Sequence, residues 1–240
     1  MTLLHDGELS AAFDHAARRY DLLTAVNPGY RADLRRSARR LRLPGRGRGL
    51  RLLDLGCGTG TSTAALLATA PHAEIVAVDA SAGMLERAAA KPWPPGVSFV
   101  HAPAEELAGI GGGFDAVFAA YLFRNVTDPD AVLAAVRTAL EPGGRLAVHE
   151  YTLSGSAAHR AVWTAVCRGI VLPAGRLAGD GGLYRHLWRS VLAFDTVPEF
   201  TARLRRTGFR QVRALPLPGW QTGITHTVVA AAPDVRQETP

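Results

Sequence analysis

A chain of 240 residues with 48% hydrophobic content suits one α/β domain with an insertion and is too short for two full domains. No run approaches the roughly 20 consecutive apolar residues of a membrane span and the first residues lack a secretory pattern, which points to the cytoplasm; two cysteines and scattered histidines exclude a disulfide framework and predict no metal site. The net charge of +6 would suit an anionic partner, but Lys91 is the only lysine, and such a bias towards arginine reflects genome composition as much as a binding surface.

Residues 1–49 read as a helical segment ahead of the sheet, placed to fold over a ligand as a lid. Its densest charge run includes Arg31, Arg35, Arg36, Arg39, Arg40, Arg42, Arg46, Arg48 and Arg51. The first part has helical spacing, and Pro44 and Gly45 break it. A solvated helix face is the default reading. Peripheral contact with an acidic membrane surface comes next and nucleic acid last, since no aromatic residues interleave with the arginines. No nucleic-acid partner is expected.

From Leu50 to Tyr151 apolar runs alternate with helical patterns, the rhythm of a parallel sheet with helices on both faces. Strands are expected near 51–55, 75–79, 97–101, 114–120 and 145–150, and helices near 60–70, 82–90 and 129–140. Leu52 to Gly60, Leu-Leu-Asp-Leu-Gly-Cys-Gly-Thr-Gly, runs an apolar strand into a turn of alternating glycines. Gly56, Gly58 and Gly60 let the backbone bend with positive φ and let a flat ligand lie against it, while Cys57 reads as a small buried hydrophobe. Asp54 sits at the strand's end, where ligands of open sheets collect. A dinucleotide fingerprint wants its third glycine at 61, where this chain has Thr, so the spacing favours a ligand with a cationic amine and no phosphate. The next strand also ends in an acid, Asp79, a carboxylate suited to a ribose diol.

Residues 155–195 break the rhythm. They are helical in pattern, interrupted by Pro173, Gly175 and Gly179–Gly182, and an insertion over the carboxyl edge of the sheet would form a substrate cover. A helix at 197–207 and strands near 211–216 and 225–231 complete a domain spanning 50–232, and residues 233–240 read as a loose tail.

The glycine turn, with Asp79-Ala80-Ser81-Ala82-Gly83-Met84 after the second strand, resembles the first motifs of class I S-adenosylmethionine (SAM) dependent methyltransferases. Phe123-Arg124-Asn125-Val126-Thr127-Asp128, then Leu140-Glu-Pro-Gly-Gly-Arg-Leu-Ala-Val-His-Glu150, narrows the resemblance to the UbiE/MenG C-methyltransferases of ubiquinone and menaquinone biosynthesis. Phe13-Asp14 through Tyr20-Asp21 and Tyr184 to Ser190 are similar too. The resemblance implies a Rossmann-like seven-stranded, mostly parallel sheet with helices on both faces and a helical insertion after the fifth strand. It implies SAM as cofactor, held by Tyr20, Asp54, Gly56, Cys57, Gly58, Gly60, Asp79, Ala80, Met84, Ala104, Glu105 and Tyr121, and a quinone-type acceptor that leaves open a lipid tail and a homodimer.

Methyl transfer to a ring carbon needs positioning and a phenolate, because free phenol has a pKa near 10. Arg124 could hold that phenolate and Asn125 a ring oxygen, or Arg124 could cap its loop and pair with Asp128. Tyr20 could reach the methionine carboxylate or pack in the core, as Phe13 could. Met84 could face adenine or fill core. His149, Glu150 and His226 could face the substrate, with His149 a candidate base, or be satisfied structural groups. Two positions depart from the family: Pro103 replaces an acidic residue at the adenine end, shifting that contact to Ala104 or Glu105, and Tyr121 stands where a small or phenyl side chain is usual. A secondary-metabolite methyltransferase, a SAM-binding protein without transferase activity and an RNA-modifying enzyme are the alternatives.

Overall fold

The computed structural model describes residues 29–177, 179 and 181–234. After helix α1 (Tyr30–Arg39) come β1 (Arg51–Leu55), α2 (Thr61–Thr69), β2 (Glu74–Asp79), α3 (Ala82–Ala89), β3 (Val97–His101), β4 (Phe114–Ala120), α4 (Pro129–Ala139) and β5 (Leu140–Tyr151). The insertion follows as α5 (Ala157–Val166), a π turn (Cys167–Val171), α6 (Leu172–Leu177) and α7 (Gly181–Ala193). Then α8 (Val197–Arg206), β6 (Arg210–Pro216) and β7 (Thr225–Ala231) close the order. Among these residues no helix is long and apolar enough to cross a membrane.

The strands form one sheet in the order β3-β2-β1-β4-β5-β7-β6, parallel except for β7, which runs antiparallel to both β5 and β6. The seven strands and the insertion after the fifth agree with the sequence reading. The chain reverses between β1 and β4, so their carboxyl ends open a crevice at the middle of the sheet. Strands buried on both faces need continuous apolar runs, and Leu52, Leu53, Ala116, Val117 and Phe118 supply them. One core layer joins β1, β4 and β5 to α4 and α8, through Phe123, Val132, Phe200 and Leu204. The other joins the sheet to α1 and α2 through Tyr30, Leu34, Leu41 and Leu66. Thus α1 is packed into the sheet's own core. The stretch ahead of it, with Tyr20 and Phe13 and most of the expected lid, lies outside the described residues.

Two local expectations change. β5 begins at Leu140, which pairs with Phe114 before the register shifts across Pro142–Gly144 and resumes at Ala116 and Arg145. Pro173 and Gly175 do not break the insertion's first helical run. Leu172 N already bonds five residues back to Cys167 O, and Pro173 follows that shifted ladder, where a missing N–H costs little. Gly175 lies against α7, and a Cβ there would stand 2.5 Å from the Tyr184 ring. At the other end Pro233 is tied down by Gly143 N, which donates to its carbonyl at 3.1 Å; residues 235–240 are outside the description.

Candidate active site

The turn after β1 is fixed to the end of β2. Gly56 N and Cys57 N both donate to Val78 O, at 2.8 and 2.9 Å, and Gly58 N donates to Asp79 Oδ2 at 2.7 Å. Asp79 Oδ1 accepts from Ser81 N at 2.9 Å, so the carboxylate is aimed by two backbone amides. Gly56 and Gly58 take φ of 77° and 53°. At Gly58 a Cβ would meet no atom within 4 Å, which leaves its backbone open to the crevice. Gly60 serves packing instead, because a Cβ there would lie 2.8 Å from the Trp93 ring.

A cavity of about 630 Å³ occupies the crevice. Gly56, Gly58, Asp79, Ala80 and Met84 line one end; Ala102, Pro103, Ala104 and Glu105 line the wall after β3; Tyr121, Leu122, Arg124 and Asn125 line the end after β4. Ten of the candidate residues are therefore brought together. Asp54, Cys57, Gly60 and His149 stand behind the wall, and Tyr20 is outside the described residues. Among the described residues the insertion contributes none to the wall. It reaches the site through His186 of α7, whose Nε2 lies 3.1 Å from Asn125 Oδ1.

Asp54 is fully buried and its Oδ2 accepts from Ser62 and Thr63 hydroxyls at 2.8 and 2.6 Å, while Oδ1 has no hydrogen-bond partner among the described residues. Burial pushes its carboxyl up to about 7; the two hydroxyls oppose this and the Asp79 charge adds to it. Burial likewise pushes the Cys57 thiol well up, leaving it a packed, protonated side chain.

β4 delivers the other end of the cavity. Tyr121 leaves the strand at φ 58°, an uncommon conformation for an aromatic residue, held by Tyr121 N donating to His149 O at 2.8 Å. The turn folds Arg124 and Asn125 back under it. Arg124 donates to Tyr121 O at 2.9 Å and to Glu150 Oε1 at 2.5 Å, and Asn125 Nδ2 donates to Tyr121 O at 3.0 Å. The loop-capping alternative for Arg124 holds in part, but its acidic partner is Glu150; Asp128 instead caps α4 by accepting from Ala131 N. Burial raises the Glu150 carboxyl, with the Arg124 charge opposing. The guanidinium also sits 5.4 and 5.7 Å from the rings of Tyr121 and Tyr151, a geometry that fixes a cation beside aromatic faces.

Behind Tyr121 runs a chain of hydrogen bonds with no signature in the sequence. Tyr121 OH lies 2.8 Å from His149 Nε2, His149 Nδ1 lies 2.7 Å from Ser37 Oγ, Ser37 Oγ lies 2.6 Å from Thr227 Oγ1, and Arg40 donates to Thr227 Oγ1 at 2.7 Å. Burial first, then the charges of Arg40 and Arg124, push the His149 imidazole down to about 3, so it is neutral at physiological pH. A neutral imidazole accepts at one nitrogen and donates at the other, which matches its two partners. His226 is tied to Thr152 O at 2.7 Å and stands away from the cavity. Ser37, Arg40, Thr227 and His186 were all missed as site residues by sequence reasoning. Their partners are remote in the chain, 112 residues apart for Ser37 and His149, and no local pattern marks such pairs.

The residues present suit an adenosyl ligand. Asp79 offers acceptors to a diol, Met84, Ala102 and Ala104 offer apolar surface to a purine, and the open Gly58 backbone leaves room for the sugar. At the far end an arginine and an amide face the same space, where an acceptor's oxygens could be held.

Comparison with known proteins agrees. The model of the ubiE/COQ5 methyltransferase family matches residues 1–228. The chain is 34% identical to the ubiquinone/menaquinone biosynthesis C-methyltransferase UbiE of Syntrophotalea carbinolica, over 86% of this chain and 88% of the relative. It is 37% identical to the demethylmenaquinone methyltransferase of Thermus thermophilus, over 82% and 90%. Among solved structures, a SAM-dependent methyltransferase of Thermotoga maritima aligns with a TM-score of 0.66 at 19% identity, covering 93% of this chain and 99% of its own. A phosphoethanolamine N-methyltransferase of Haemonchus contortus, solved with S-adenosyl-L-methionine, aligns with the same TM-score at 16% identity, covering 92% and 57%. At these identities the structural matches establish the fold.

Proposed function

The chain belongs to the ubiE/COQ5 methyltransferase family, and on that footing we propose that it transfers a methyl group from SAM to a ring carbon of a demethylated quinol, demethylmenaquinol first. The single observation that carries the reading is the cavity itself, which joins Asp79 and Gly58 at one end to Arg124 and Asn125 at the other. A cofactor subsite and a phenol subsite share one space.

SAM, when bound, supplies an electrophilic methyl on a sulfonium. The protein's part is to bind, orient and exclude water. Asp79 would accept from the ribose hydroxyls, and its two backbone contacts keep both oxygens directed. Ala104 and Glu105, which line the cavity beside Pro103, would supply the adenine contact in place of the missing acid. A ring carbon attacks only when the adjacent phenol gives up its proton, and the Arg124 charge, held by Glu150 and the Tyr121 carbonyl, lowers the cost of that oxyanion. Asn125, fixed between Tyr121 O and His186, holds a ring oxygen. His149 acts through Tyr121, whose ring it orients.

Labelled SAM offered demethylmenaquinol, other phenols and RNA tests this reading. Label on a quinol ring carbon is expected. Transfer only to RNA, or only to oxygen or nitrogen of other small molecules, overturns it, and SAM binding without any transfer identifies a non-enzymatic role.

A further inference from the structure

Among the described residues the large apolar side chains that stand exposed are Val162, Ile170, Leu177 and Trp220. Three of them lie on the continuous helical run α5–π turn–α6. Val162 and Ile170 are eight residues apart, one α turn plus one π turn, and Ile170 and Leu177 are seven apart, two α turns. The π turn thus takes up the extra residue and brings all three to one side. The core-facing side is occupied by Trp163, Cys167 and Gly175, which are buried. Exposed positions between the two sides are mostly small, such as Ala161, Ala165 and Gly169. Trp220 lies in the loop whose Gly223 abuts His159 in the first turn of α5; a Cβ at Gly223 would fall 2.2 Å from that imidazole.

The charge on this run has one sign. Arg160, Arg168 and Arg176 recur at eight-residue intervals, all exposed, and no Asp or Glu occurs from Tyr151 to Gly179. A twofold contact between copies would set these arginines against each other with no acid in the run to neutralise them. An anionic bilayer satisfies both features: apolar side chains enter the headgroup and acyl boundary while arginines bind phosphate.

We propose that the α5–π turn–α6 face docks the protein on an anionic lipid surface. This rests on the surface alone and stands or falls independently of the methyl-transfer reading.

Co-sedimentation of the full chain with phosphatidylcholine vesicles, with and without phosphatidylglycerol, tests it. Binding is expected on the anionic vesicles, weakening as salt rises. The variant V162S/I170S/L177S should lose about tenfold or more of that affinity, and R160Q/R168Q/R176Q should lose about tenfold, on anionic vesicles only. Because all six side chains are exposed, circular dichroism and transfer to a short-tailed soluble acceptor should stay as in the parent. Absence of wild-type binding overturns the proposal. So does binding that survives the serine variant but disappears with R31Q/R35Q/R39Q, which would place the contact on α1. Self-association abolished by the serine variant, without vesicle binding, would assign the face to a second copy.

Discussion

Tyr121 OH and His149 Nε2 are 2.8 Å apart, and the two rings meet edge to face with centroids 4.7 Å apart. One residue lines the cavity and the other is fully buried behind it, so the bond ties the cavity wall to the core.

Removing one end of this bond should cost more than removing both. Tyr121→Phe leaves a buried imidazole nitrogen without its partner, a loss of about 1–3 kcal/mol. The double variant Tyr121→Phe/His149→Leu replaces the pair with apolar groups and should recover much of that loss. Urea unfolding of the four proteins in a double-mutant cycle measures it; purely additive losses would show that the two groups do not interact.

His149 also sets a pH dependence. Its folded value lies near 3 against an ordinary 6.5, so as pH falls through that window the unfolded chain gains a proton that the folded chain refuses. Stability from this group is therefore complete above 6.5 and lost towards 3. The double variant, lacking the imidazole, should lose less stability than the parent between neutral and mildly acid pH. Urea midpoints across that range provide the comparison, and parallel curves would contradict a neutral buried His149.

At the cofactor end, Asp79→Asn keeps the volume of the side chain but lacks the charge and one acceptor. SAM affinity measured by calorimetry should fall about tenfold to a hundredfold. An unchanged Kd would remove Asp79 from the cofactor site.

Arg124→Ala should separate the two ends of the cavity. SAM affinity should stay near that of the parent while kcat falls about a hundredfold, the usual size of a lost oxyanion partner. Since the variant strands Glu150, Arg124→Ala/Glu150→Gln should share the low kcat with better stability. Parental turnover in either variant would dismiss the phenolate role.

Sequence periodicity and local motifs carried the sheet, because each strand from Leu52 to Val148 announces itself by apolar runs bounded by glycine, proline or acid. Gly56, Gly58, Asp79, Arg124 and Asn125 were legible for the same reason, being short spacings at strand ends. Position along the strand puts Asp54 at the ligand end, but Ser62 and Thr63, eight and nine residues on in the first turn of α2, draw its carboxylate into the core. The alternative that paired Arg124 with Asp128 missed Glu150, which is near Arg124 only through β4–β5 pairing. Pro173 read as a break because a π turn leaves no local signature.

The hydrogen-bond chain behind Tyr121 has a consequence for the order in which the molecule is completed. Ser37 comes from the first described helix and Thr227 from the final strand, which inserts between β5 and β6. During synthesis, Thr227 leaves the ribosome after every other member of this network, so Ser37 and Arg40 wait for it with unmet polar groups. A nascent chain can assemble β1 to β5 early, yet the network behind Tyr121 is closed only when β7 arrives. Truncation just before Thr225 should therefore yield a chain with most of its sheet and an unclosed network behind Tyr121.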